Sequence, residues 1–143
     1  MISSLRKYRK WRSLRNYERH CVTSILVWLS FWLLVTQVIP FTYWINVLKK
    51  VRFSGFKTYS SDLLISCIVR CHSLFPTRNV CLIQAFVFWS LVDKNKDICI
   101  VIGVQKNEMT IFEAHAWIEK QSEILIGKRP FDHFTPIWRY RNA

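Results

Sequence analysis

Glycine is nearly absent from this chain: of 143 residues only Gly55, Gly103 and Gly127 are glycines. That is too few for a glycine-rich phosphate loop, so nucleotide binding is not indicated. No internal repeat and no low-complexity linker interrupts the chain, and its length suits one compact domain or a small catalytic core with an N-terminal appendage, which argues against a two-domain enzyme. Carboxylates are also scarce, nine against 21 lysines and arginines, for a formal net charge of +12. Cysteine is present, but its five copies (Cys21, Cys67, Cys71, Cys81, Cys99) are odd in number and lack the dense spacing of a disulfide-stapled secreted scaffold. A reducing compartment fits better. Cys67, Cys71 and His72 share a helix-like spacing, but a fourth ligand at zinc-like spacing is missing, so no metal is expected.

Apolar surface is what the chain has in excess: 51% of its residues are hydrophobic and 15% aromatic, including seven tryptophans. Such a composition excludes a disordered or fibrous protein. The cations are unevenly placed. Arg6, Lys7, Arg9, Lys10, Arg12, Arg15 and Arg19 crowd the start, while the carboxylates lie mostly from Asp62 onward. This asymmetry suits an acidic partner or an anionic membrane surface for the front end. Residues 22–39 then run without a formal charge into Pro40, at the threshold length of a membrane span. Basic residues flank the run on both sides, a weak topological signal that would leave the N-terminus cytosolic. A single span would place the thiol-rich second half outside, and no small-residue cleavage pattern precedes Pro40, so a signal peptide is not expected. The reading we prefer is a helix buried against the domain or lying in the membrane interface.

Periodicity orders the rest. Ser60 or Ser61 can cap a helix from Asp62 towards His72, with Leu63, Leu64, Cys67, Ile68 and Cys71 on its buried side. Thr77 or Asn79 offers an N-cap for an apolar helix over residues 80–92, closed by the polar segment 93–97. Residues 98–104 read as a strand and 105–108 as a turn. Residues 112–119 alternate, with Phe112, Ala114, Ala116 and Ile118 on one face and Glu113, His115, Trp117 and Glu119 on the other, polar-facing side. A tight turn at Gln121 and Ser122 leads to a short strand at 123–126. Helices followed by an antiparallel meander predict an α+β domain, which we place at residues 60–143 behind a basic, hydrophobic helical segment at 1–59.

Cys81 falls in the first turn of its helix, where unpaired amides and the helix dipole favour an anion and ease ionisation of the thiol. A small buried hydrophobe is the commoner fate of a cysteine, and position alone does not overturn it. His115, between two alanines on a later strand, adds to the case. Cysteine at a helix start followed by a strand histidine is the order of thiol enzymes in which the imidazole takes the thiol proton and later protonates the leaving amine. His20, His72 and His133 are assigned to structure or solvent, and Trp117 to packing over the site.

Three stretches resemble a known family: Asn79–Ile83, the Ile-Gly-Val of residues 102–104, and FEAHAWIE at 112–119. Together they are similar to the microcin-processing, transglutaminase-like C-terminal domain of the lasso-peptide maturation B proteins, over roughly residues 60–138. The basic, tryptophan-rich front end is similar to stand-alone members. The resemblance implies a papain- and transglutaminase-like cysteine peptidase that removes the leader from a ribosomally made precursor, without a cofactor. It implies Cys81 as nucleophile, His115 as general acid/base, and an oxyanion held by backbone N–H groups at the start of the Cys81 helix.

One departure stands out. Members complete a triad with an aspartate about a dozen residues beyond the histidine, where this chain has Gly127. Simple hairpin register puts His115 opposite Lys128, so no carboxylate arrives that way. Asp132 from the following loop, or Glu113 on the same strand face, are the candidates for a third member, whose loss weakens but need not abolish catalysis. Nothing resembles the leader-recognition domain of fused members, which implies a separate recognition protein. The other expected partners are the precursor peptide, an ATP-dependent, asparagine-synthetase-like cyclase and a membrane surface, with no nucleic acid. Two further functions compete: acyl transfer to an amine through the same thioester, and a non-enzymatic, membrane-associated scaffold.

Overall fold

The computed structural model describes residues 15–53, 58–75, 79–93, 97–106, 112–128 and 133–141. Among the described residues four α-helices precede an antiparallel sheet, an α+β order. Helix α1 (Asn16–Val38) starts earlier than the uncharged run because Glu18 completes its N-terminus, accepting a hydrogen bond from the Arg15 backbone N–H at 3.0 Å. Its buried residues Cys21, Ile25, Trp28, Trp32 and Val35 follow the 3–4 spacing of one helix face. Pro40 ends it: Ile39 is extended, as a residue before proline must be. Within the helical segment expected at 1–59, which the sequence closes with a short loop at 53–59, a second helix, α2 (Phe41–Phe53), begins directly after the proline. Trp44 clamps the corner by donating its indole N–H to the Ile39 carbonyl at 2.8 Å.

Helix α3 (Ser61–Arg70) buries Leu64, Cys67 and Ile68, and Arg70 ties it to α1 through Glu18 at 3.1 Å. A short 3₁₀ turn (His72–Leu74) follows. Helix α4 (Val80–Leu91) is buried over most of its length because α1, α2, α3 and the sheet surround it. It carries the polar Ser90 inside, satisfied on both sides: the hydroxyl donates to the Phe86 carbonyl and accepts from the Trp32 indole N–H, each at 2.8 Å.

The sheet has the order β3-β2-β1-β4. Strand β1 (Cys99–Lys106) runs past the turn expected at 105–108: Gln105 and Lys106 still pair with Glu113 and Phe112 of β2 (Phe112–Lys120), so cross-strand bonding extends the element beyond its apolar stretch. Residues 107–110 lie outside the described residues. Gln121 and Ser122, both at positive φ (49° and 71°), make the expected two-residue turn into β3 (Glu123–Ile126). Strand β4 (Thr135–Arg141), not expected from the sequence, returns to pair with the far edge of β1.

One sheet face, with Ile100, Ala116, Ile118 and Ile126, joins the core built by the helices. The other carries a smaller cluster of Cys99, Val101 and Trp117, against which Ile124 and Phe134 pack. Gly103 allows that second layer: a Cβ there would lie 2.7 Å from the Trp117 ring, which rests on its backbone.

Candidate active site

Asn79 occupies the N-cap of α4, as one of the two expected residues, but in a left-handed conformation (φ 54°) and without a capping hydrogen bond from its side chain. Asparagine tolerates this conformation better than most residues. The first-turn amides of α4 are thereby left to another acceptor, and Cys81 sits among them. Its thiol faces the His115 imidazole and the backbone N–H groups of Ala116 and Leu82, whose hydrogen bonding and charge favour the thiolate. Burial alone would push the thiol up; these hydrogen bonds and the charge of the imidazole outweigh it and hold Cys81 below the ordinary thiol range. The other four cysteines are free thiols, buried and raised, by desolvation first of all.

His115 is 3% exposed, so the strand face expected to be polar is covered. Trp117 stacks beside the imidazole at 5.9 Å between ring centroids and Phe134 lies at 5.1 Å. Its Nε2 donates to the Gly127 carbonyl at 2.5 Å. A carbonyl only accepts, so Nε2 carries the proton and Nδ1 is the basic nitrogen of the ring.

That contact corrects the expected register. Lys120 pairs with Glu123 and Glu119 with Ile124, but Ile118 pairs with Ile126, so Leu125 is bulged out. One extra residue on β3 takes the strand out of the simple register, with Gly127 beside Trp117, and the acceptor that the His115 side chain reaches is the Gly127 carbonyl. The position where an aspartate was missing therefore still supplies an acceptor, from its backbone. An aspartate would not fit there as the chain runs: Gly127 has φ +86°, and a Cβ would lie 2.7 Å from the Ala116 carbonyl oxygen and 3.0 Å from the Trp117 Cβ. Nε2 is engaged by the Gly127 carbonyl, and Glu113 stands opposite Gln105 across β1. Asp132 lies outside the described residues.

Cys81 and His115 lie in a groove of about 320 Å³ whose wall includes Phe41 and Trp44 of α2, Val80 and Leu82 of α4, and Ile102 of β1. The two aromatic residues were not foreseen as part of a site. Their signal was an aromatic cluster directly after Pro40, which has no chemistry of its own. Cys67 and Cys71 are buried while His72 is exposed and bonded to Gln84, and no group of three potential metal ligands occurs among the described residues.

An α+β domain that brings a thiol at a helix start, an imidazole on a following strand and an acceptor behind it into one groove has the makings of a thiol enzyme. The family model for the transglutaminase-like superfamily matches residues 58–139, more than half of the chain, and the chain belongs to that superfamily. The fold is typically that of cysteine proteases and acyl transferases. Among curated proteins and among solved structures, nothing matches.

Proposed function

We propose that this chain is a cysteine peptidase that removes the leader from a ribosomally synthesised lasso-peptide precursor, with Cys81 as nucleophile and His115 as general acid/base. The observation that carries the reading is that these two side chains share one open groove, the imidazole beside a thiol held below its ordinary range. The Cys81 sulfur adds to the carbonyl carbon of the leader–core bond, giving up its proton to His115 Nδ1. The tetrahedral oxyanion falls to the first-turn amides of α4. His115 then protonates the departing core amine as the C–N bond breaks, leaving the leader as a thioester. Water, deprotonated by the same imidazole, hydrolyses it.

The Gly127 carbonyl orients the ring in place of a carboxylate, while Asp132 remains the nearest acidic residue downstream. In this reading residues 60–143 form the peptidase domain and 1–59 a front segment that walls the groove. The apolar, aromatic lining suits a large apolar side chain next to the scissile bond. A separate recognition protein delivers the leader and an ATP-dependent cyclase takes the core, in the cytoplasm, where unpaired thiols persist.

The family's breadth keeps acyl transfer to an amine as the second reading. Incubation with precursor and recognition protein separates the two by mass: an intact leader ending in a free carboxylate supports hydrolysis, and an amidated or crosslinked leader sinks it. Unchanged maturation in cells carrying Cys81→Ala would leave only a scaffold.

A further inference from the structure

We propose that the outer face of α1 lies in the plane of an anionic membrane surface, an attachment that does not depend on the reaction carried out in the groove. One face of this helix belongs to the core: Trp32 is fully buried and bonded to Ser90 of α4. A spanning helix would strip that cover from α4, so a transmembrane placement is incompatible with the packing. The open face carries an apolar stripe beside the uncharged polar residues Thr23, Ser30 and Gln37, all exposed. Val27 (63% exposed), Phe31 (37%), Leu34 (63%) and Val38 (77%) recur at 27, 31, 34 and 38, the spacing of a single stripe. Beyond Pro40 it is continued in sequence by Phe41 and Tyr43, both exposed, and Phe41 also lines the groove.

No charged residue occurs from Cys21 to Leu48, while cations bracket the interval: Arg15 on one side, Lys49 and Lys50 on the other, all exposed. Before Asp62 the chain holds eleven lysines and arginines against one carboxylate, Glu18. That imbalance selects the occupant. A second copy laid on this stripe would bring two strongly cationic front segments together, whereas an anionic lipid surface complements them. Apolar insertion at the headgroup boundary combined with attraction to anionic lipids is how in-plane helices bind. The groove, reached by Phe41, would then open beside the membrane surface.

The test is sedimentation of the full chain with vesicles of phosphatidylcholine, alone or mixed with phosphatidylglycerol. We expect binding to the mixed vesicles at least about tenfold stronger than to phosphatidylcholine alone, weakening with added salt. Leu34→Glu and, as an independent variant, Val38→Glu should each lower that binding about tenfold or more with thermal unfolding unchanged. Both positions are well exposed, so neither substitution disturbs the core. Absence of binding to mixed vesicles overturns the proposal, as does undiminished binding by both variants. A dimer in solution that Leu34→Glu dissolves would assign the stripe to a second copy and overturn it equally. Loss of peptidase activity in a chain that still binds vesicles would count against the proposed function alone.

Discussion

Cys21, Cys67 and Cys71 meet where α1 packs on α3, while Cys81 stands at the head of α4, and the two places treat the same side chain in opposite ways. In the first, burial is the largest cause for each of the three and all are pushed up, with neighbouring thiols adding to it at Cys21 and Cys71 while the Cys21 contact partly opposes it at Cys67. In the second, burial is opposed by an imidazole and two backbone N–H groups, and the thiol is held down. Removal from water is common to both. Thiol reactivity here is decided by what replaces the water: apolar side chains and other thiols in one place, aligned donors in the other.

The sharpest way to break this comparison is to delete each kind of thiol. Cys81→Ala should lower cleavage of the cognate precursor on the order of 10³-fold or more, and His115→Gln comparably, measured by single-turnover mass spectrometry. Cys67→Ala should leave the rate constant within about twofold and cost on the order of 1 kcal/mol of stability in a denaturant titration, as expected for a small buried cavity.

Next in size is Gly127→Asp, which introduces the carboxylate that the resemblance to the lasso-peptide maturation proteins would place here. Because φ is +86° and a Cβ there would meet the Ala116 carbonyl, activity should fall rather than rise, together with a stability loss of about 1–3 kcal/mol. A gain in activity would show that the backbone carbonyl is a poor substitute that the fold can readily replace.

Alkylation sharpens the contrast directly. In the folded protein at pH 7, iodoacetamide should label Cys81 at least about tenfold faster than any of the other four, with its rate persisting below the free-thiol range of about 8.5. Labelling that rises only above that range would remove the activated pair.

The smallest effect is on stability against pH, and its sign differs between the two places. The cluster thiols have raised folded values, so their contribution is complete below the unfolded pKa of about 8.5 and is lost as pH climbs above it. Cys81 has a lowered folded value, so its contribution is present above about 8.5 and lost as pH falls through the folded value. Cys21→Ala should therefore flatten the alkaline decline of Tm, and Cys81→Ala should steepen it slightly.

Legibility followed periodicity. Helix α4 was readable because an apolar run follows a capping residue, and β2, its turn and β3 because alternation is broken at Gln121 and Ser122. Strand β4 was not: it contains Pro136, alternates Arg139 and Arg141 with aromatics, and lies at the sheet edge, where only pairing with β1 distinguishes it from a polar tail. The two faces of α1 were equally invisible. A helix apolar all round does not say which side the core will take until α4 is laid against it.

Residue type and order alone determined that a thiol would stand in the first turn of an apolar helix, that an imidazole would follow on a strand, and that the cations would gather at the front. These are local properties, carried by composition and by periods of 3.6 and 2. Tertiary structure decided which groups meet. The bulge at Leu125 took β3 out of simple register, the His115 side chain found its acceptor in the Gly127 carbonyl, and the corner at Pro40 laid Phe41 and Trp44 along the groove. Backbone carbonyls are identical at every position and a bulge has no residue signature of its own, so the ring's acceptor could be read only once the strands were in register.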